Sequence, residues 1–95
     1  MRFLLLLHSF HLEEMIFKFG RYLLIASSRD GSLPANLQGV WQYYTSAAWN
    51  GSYVYNINLQ MNYWGCFATG LAELFECNIE YFDAIRPTLE SNADK

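Results

Sequence analysis

The feature that most constrains this chain is a helical stripe that is apolar on both sides. Leu12, Met15, Ile16, Phe19, Leu23 and Ala26 recur at the spacing of an α-helix. Phe17, Leu24 and Ile25 fill the opposite side, so the helix has to be covered on more than one face. The turn formers Ser27-Ser28-Arg29-Asp30-Gly31 end it. A chain of 95 residues holds one small domain, and such a domain buries only a little over ~60% of its unfolded surface. This chain is 53% hydrophobic and 16% charged, against about 25% charged in an average protein. It is short of material for a solvated surface. The expectation is that residues 1–95 form a single piece of a larger protein whose other parts cover it.

Residues 27 to 55 show no sustained period. Gly31, Pro34, Gly39 and Gly51 punctuate a loop that still carries Trp41, Tyr43, Tyr44, Trp49, Tyr53 and Tyr55. A loop this long inside a compact domain usually binds or catalyses. A second helix is expected from Ile57–Leu59 to about Cys77, with Met61, Trp64, Ala68, Leu71 and Phe75 on one face. Within it, Gly65 and Gly70 would permit close packing of another backbone. A third helix is expected over Ile79 to Arg86, ended or kinked by Pro87, with a frayed polar tail beyond Leu89.

Several function classes are excluded or weakened by the same residues. A net charge of −3 with six scattered basic residues argues against a nucleic-acid partner. No stretch reaches the ~18 apolar residues of a membrane span. The N-terminal Phe3-Leu-Leu-Leu-Leu7 run is shorter than the ~7–15 residues of a leader's apolar core. His8 and His11 share a helical face but lack a third ligand at fixed spacing, so no metal is implied. Glu73, Glu76 and Glu80 read as a solvated helix face, and Cys66 and Cys77 as two small buried thiols. Ser27 and Ser28 lack the partners of a nucleophile elbow. Asn50-Gly51-Ser52 matches the glycosylation acceptor pattern, which short chains also reach by chance.

Chemistry concentrates in Asn56-Ile-Asn58-Leu-Gln60-Met-Asn62-Tyr-Trp64, which is rich in amides and aromatic rings and has no charge. An extended backbone would point Asn56 and Asn58 to one side, and a helix would stack Asn58 on Asn62. Amides donate and accept hydrogen bonds, and flat rings cover the apolar face of a pyranose, so the pattern suits neutral, hydroxyl-rich ligands. Asparagine also favours helix caps for backbone reasons, and a polar helix start in an aromatic core fits equally well. Asn36, Gln38 and Trp41 repeat the amide-plus-indole theme in Leu33-Pro-Ala-Asn-Leu-Gln-Gly-Val-Trp41. Two such clusters flanking a tryptophan-bearing loop favour carbohydrate binding.

Taken together, Phe19-Gly-Arg-Tyr-Leu-Leu-Ile-Ala-Ser-Ser-Arg29, Leu33-Pro-Ala-Asn-Leu-Gln-Gly39, Trp49-Asn50 and Asn56-Ile-Asn-Leu-Gln-Met-Asn-Tyr-Trp64 resemble glycoside hydrolase family 95 over about residues 15–86. Its best-known members are 1,2-α-L-fucosidases, with some α-L-galactosidases. The resemblance implies an all-α fold, here a partial (α/α)6 barrel of about three helices and one long aromatic loop. It implies inverting hydrolysis, in which a glutamic acid protonates the leaving oxygen and water attacks the opposite face. The paired asparagines that hold this water fall on Asn56 and Asn58. The acid and a partnering aspartate belong to segments beyond Lys95. Trp41, Trp49 and Trp64 become candidate sugar-stacking or pocket-wall residues, with core packing as the alternative. Asn36 and Gln38 become candidate substrate contacts or loop braces. The implied partners are a fucosylated oligosaccharide or glycan and the remainder of the catalytic domain. No cofactor is implied, and the family setting is extracellular or periplasmic.

The chain departs from the family pattern near the candidate site. Val54 stands where a His is common, and Ala47-Ala48-Trp49-Asn50 where Pro-Pro-Trp-Asn is common. Gly65-Cys66-Phe67 follows Trp64 where Pro-Ala-Glu is usual. The rival reading is a non-catalytic helical module that binds a glycan or a protein through its aromatic loop.

Overall fold

A computed structural model describes residues 1–95. Three α-helices, α1 (Arg2–Ser27), α2 (Asn58–Asn62) and α3 (Glu76–Ala93), are joined by a long loop and a run of turns. The fold is all-helical; the one β-type pairing is an isolated bridge between Asn36 and Gly39.

Helix α1 starts well upstream of the expected Leu12. The leucines before it have no period of their own, but leucine is a strong helix former and extends the periodic segment towards the N-terminus. At 26 residues the helix is about 39 Å long. Every residue from Met1 to Gly20 is exposed, and α1 touches the rest of the chain only through its last turns. The radius of gyration is 17.3 Å, against about 12 Å for a compact chain of this length. Only 10 of 95 residues are buried. The two apolar faces of α1 are therefore uncovered. No helix is long and apolar enough to cross a membrane.

The expected second helix is not continuous. α2 stops at Asn62, and residues 63–70 form a series of turns, followed by a 3-10 segment at Ala72–Phe75. Gly70 (φ +71) ends the turns, with the Leu71 N–H donating to Cys66 O at 2.8 Å and the Gly70 N–H to Phe67 O at 3.4 Å. This pair of bonds is a Schellman motif, with Leu71 and Cys66 supplying its accompanying hydrophobic contact in the core. Gly70 thus serves a chain reversal, and Gly65 has nothing within 4 Å of where a Cβ would stand. Neither glycine admits a second backbone. α3 also departs from expectation: it begins at Glu76, passes through Pro87 and continues to Ala93, so the tail is helical.

The small core comprises Ala35, Leu59, Tyr63, Cys66, Leu71 and Cys77, flanked by Leu24, Tyr53, Tyr55, Leu74 and Phe75. At its centre the Tyr63 hydroxyl accepts from the Ala35 N–H at 2.7 Å and lies 2.6 Å from Ser28 Oγ. Ser28 Oγ is 3.3 Å from Ser27 Oγ, whose hydroxyl donates to Leu24 O at 3.2 Å. One assignment uses each proton once: Ala35 N–H to Tyr63, Tyr63 to Ser28, Ser28 to Ser27, and Ser27 to Leu24. The far leg of the loop is held separately. Tyr53 donates to Pro34 O at 2.8 Å, and Tyr53 and Tyr55 pack on Tyr81 of α3 with ring centroids 4.8 and 6.4 Å away.

Two sets of outcomes follow for the full-length protein, read by denaturant melts. Tyr63→Phe strands the buried Ala35 N–H and should cost about 1–3 kcal/mol. Burial, outweighing the hydrogen bonds from Ser28 and Ala35, pushes the Tyr63 phenol up to about 12, from an ordinary value near 10. A raised acid favours the neutral form in the fold, so its contribution is complete below about pH 10 and is lost as pH rises towards about 12. Tyr63→Phe should remove that alkaline component. Gly70→Ala should cost about 1–2 kcal/mol because of its left-handed φ. Gly65→Ala, at a position with open space and no positive φ, should be neutral or stabilising by up to about 1 kcal/mol.

Candidate functional site

The site is built around a tight turn, Asn36 to Gly39. The Asn36 N–H donates to Gly39 O at 3.2 Å, the Gly39 N–H returns to Asn36 O at 2.9 Å, and Asn36 Oδ1 accepts from the Gln38 N–H at 2.8 Å. From α2, Asn62 Nδ2 donates to Ala35 O at 3.2 Å and to Asn36 O at 3.4 Å. The turn is therefore clamped to the helix that follows the asparagine pair.

Two concavities flank this turn and share Leu37 and Gln38. One, of about 290 Å³, takes in Asn36, Trp41 and Asn62 beside the last turns of α1. The other, of about 510 Å³, is lined by Leu37, Gln38, Trp49, Val54 and Asn58. No charged side chain lines the second. Gln38 has a buried Oε1 with no hydrogen-bond partner, the kind of group that normally finds one.

Trp49 reaches this concavity from a left-handed turn. Trp49 (φ 55), Asn50 (φ 58) and Gly51 (φ 59) follow one another in the left-handed region. For the two non-glycine residues that conformation costs roughly 1–2 kcal/mol each. Ser52 helps hold it, its hydroxyl donating to Trp49 O at 2.7 Å. A Cβ at Gly51 would stand 3.5 Å from Asn36 Nδ2 and 3.7 Å from Gln38 Oε1, so the left-handed turn and the Asn36–Gly39 turn are neighbours.

The asparagine pair sits on a second strained segment. Ile57, between Asn56 and Asn58, has φ 94 and ψ −33; such a conformation is an outlier for a β-branched residue and costs about 1–3 kcal/mol. Its N–H donates to Tyr55 O at 2.7 Å, closing a three-residue turn about Asn56, and to Gln60 Oε1 at 3.1 Å. The backbone about Asn56 is not the extended strand that the spacing allowed, whereas the helix that would stack Asn58 on Asn62 is present as α2.

The candidates therefore divide. Asn58, Gln38 and Trp49 meet at one concavity; Asn36 and Trp41 line the neighbouring one, where the Asn36 amide also braces the turn. Asn56 is exposed at the apex of its turn. Trp64 is 63% exposed and lines neither concavity. Leu37 and Val54 complete the walls, and Asn62 clamps the turn. Of these, Asn62 carried a sequence signal through its place in the amide cluster, and Val54 through its standing where the family commonly has a His.

The catalytic-domain model of glycosyl hydrolase family 95 matches residues 7–95. The chain belongs to glycosyl hydrolase family 95. Over 73 residues, it is 55% identical to a protein named probable alpha-fucosidase A from Aspergillus oryzae, covering 77% of this chain and 10% of that protein. It is 58% identical over 66 residues to a probable alpha-fucosidase A from Aspergillus niger, covering 70% of this chain and 8% of that protein. Alpha-L-fucosidase 2 of Arabidopsis thaliana is 46% identical over 74 residues, covering 78% of this chain and 9% of that protein. The chain thus spans about a tenth of the length of the curated relatives it matches. The family resemblance read from the four sequence motifs is shown.

The turn geometry has a direct test. Gly39 (φ +67) would bring a Cβ to 2.8 Å from the Trp41 indole. Gly39→Ala should displace that ring, shift the tryptophan fluorescence of the full-length protein and cost upwards of about 1 kcal/mol in a denaturant melt.

Proposed function

We propose that these residues supply the water-positioning half of an inverting α-L-fucosidase site, acting on terminal α-1,2-linked L-fucose of oligosaccharides. In this reading they form the first slice of an (α/α)6 barrel. The observation that carries it is the charge-free concavity lined by Asn58, Gln38 and Trp49. That lining suits a neutral sugar: amides for hydroxyls and a ring for the apolar face. Family membership and the names of the fungal and plant relatives support the same reading.

In this reading Asn58, with Asn56 two residues before it in the chain, orients the attacking water. An amide carbonyl is too weak a base to take the proton, but it can fix the direction of the water's O–H bond and lone pairs. Trp49 walls the sugar, and Gln38 contacts it or braces the loop beside it. Inverting hydrolysis also needs two carboxyl groups flanking the bond. None lines this concavity, and Asp30, Glu73 and Glu76 gather at a different one. The acid and the base come from the remainder of the catalytic domain.

Turnover of a 2′-fucosylated oligosaccharide tests the proposal. Residues 1–95 alone should show none, and the full-length protein should show it with inversion at the anomeric carbon by NMR. In that protein Asn58→Ala should lower kcat by on the order of 100-fold with little change in KM. Equal losses in kcat and in sugar binding would overturn the water-positioning role, and hydrolysis by residues 1–95 alone would overturn the division of the site.

A further inference from the structure

We propose that Gln60 is a positioning residue, whose side chain holds the strained Ile57 backbone and so sets the spacing of Asn56 and Asn58. The proposal rests on the water-holding role given to those asparagines above.

Ile57 adopts φ 94 although its side chain is 51% exposed. Packing therefore does not hold it there; hydrogen bonds do. The Ile57 N–H is shared between Tyr55 O at 2.7 Å and Gln60 Oε1 at 3.1 Å. The Leu59 N–H reaches back to Val54 O at 3.0 Å, and Met61 N–H donates to Ile57 O at 2.8 Å. Leu59 is buried in the core and anchors the far side of the turn. Of these restraints, the Gln60 amide alone is a side chain that substitution can remove. It supplies half of a capping box; isoleucine has no side-chain acceptor to return the bond.

Geometry gives the brace its consequence. Ile57 is the single residue between the two asparagines, so its φ governs how Asn56 is turned relative to Asn58. Relaxation of Ile57 to a negative φ would rotate Asn56 away while leaving Asn58 at the start of α2. A water held by both amides would lose one of them. Outliers of this kind persist where the surroundings over-determine them, and they concentrate at functional sites.

The test uses the full-length protein with a 2′-fucosylated oligosaccharide and compares five variants with wild type. Gln60→Ala should lower kcat on the order of 10- to 100-fold, with KM within about twofold and the melting temperature nearly unchanged. Gln60→Glu keeps an acceptor for the Ile57 N–H and should restore most of kcat. In an Ile57→Gly background the Gln60→Ala loss should shrink, because glycine takes positive φ without a brace. Asn58→Ala serves as the reference for the underlying reading. If Asn58→Ala is inactive and Gln60→Ala turns over normally, the brace alone is overturned. Failure of Gln60→Glu to restore kcat, or an undiminished loss in the glycine background, also overturns the brace. Near-normal turnover by Asn58→Ala overturns the water-positioning reading and the brace with it.

Discussion

One phenol oxygen organises this fold. Tyr63 sits where the end of α1, the start of the long loop, the turns after α2 and the start of α3 converge, and its hydroxyl lies within 3.7 Å of a polar atom from Ser28, Ala35 and Cys77. In the assignment that uses each proton once, none of the hydroxyls of Tyr63, Ser28 and Ser27 rotates without breaking a neighbour's bond. Buried polar networks specify a structure when every member is satisfied, and this one is satisfied from end to end. With so few apolar side chains buried beside it, the network fixes the angle at which the loop leaves α1. The turn at Asn36 starts from that angle.

The candidate site is therefore a product of the core, one residue removed. Asn62 precedes Tyr63 and clamps the Asn36–Gly39 turn; Ala35 gives its N–H to Tyr63 and its carbonyl to Asn62. The same two backbone groups join hub and site. Asn58 lies one helical turn before Asn62, which places it against Leu37 and Gln38 on the other flank of the clamped turn. Strain collects in the two segments that deliver side chains to this region, at Trp49–Asn50 and at Ile57, while the clamped turn itself uses a glycine for its positive φ.

Much of the family and some of the fold were legible in the residues. The stripe from Leu12 to Ala26 gave α1 its place, the two-sided apolar pattern gave its need for cover, and four motifs in order gave the family. The breaks were harder. Leu71 and Phe75 keep a helical period with Met61 and Trp64, yet the chain reverses at Gly70 between them, and Met61 and Trp64 stay exposed, so the period does not mark one buried face. Pro87 is a stop signal that α3 passes through. The left-handed turn is announced only by Asn50-Gly51, and nothing in the residue type of Trp49 or Ile57 signals positive φ. Those conformations are imposed by hydrogen bonds to Ser52 and Gln60, which depend on the fold around them.

The absence of charge in the Asn58 concavity bears on how the proposed reaction divides its labour. A carboxylate placed at Asn58 would both orient a water and titrate. An amide orients without titrating, so the direction of attack is held constant while proton transfer is set by carboxyl groups elsewhere. That separation demands accurate placement, since an amide contributes through geometry and not through basicity. Placement here rests on Leu59 anchored in the core on one side and, at the exposed Ile57, on hydrogen bonds to Tyr55 and Gln60.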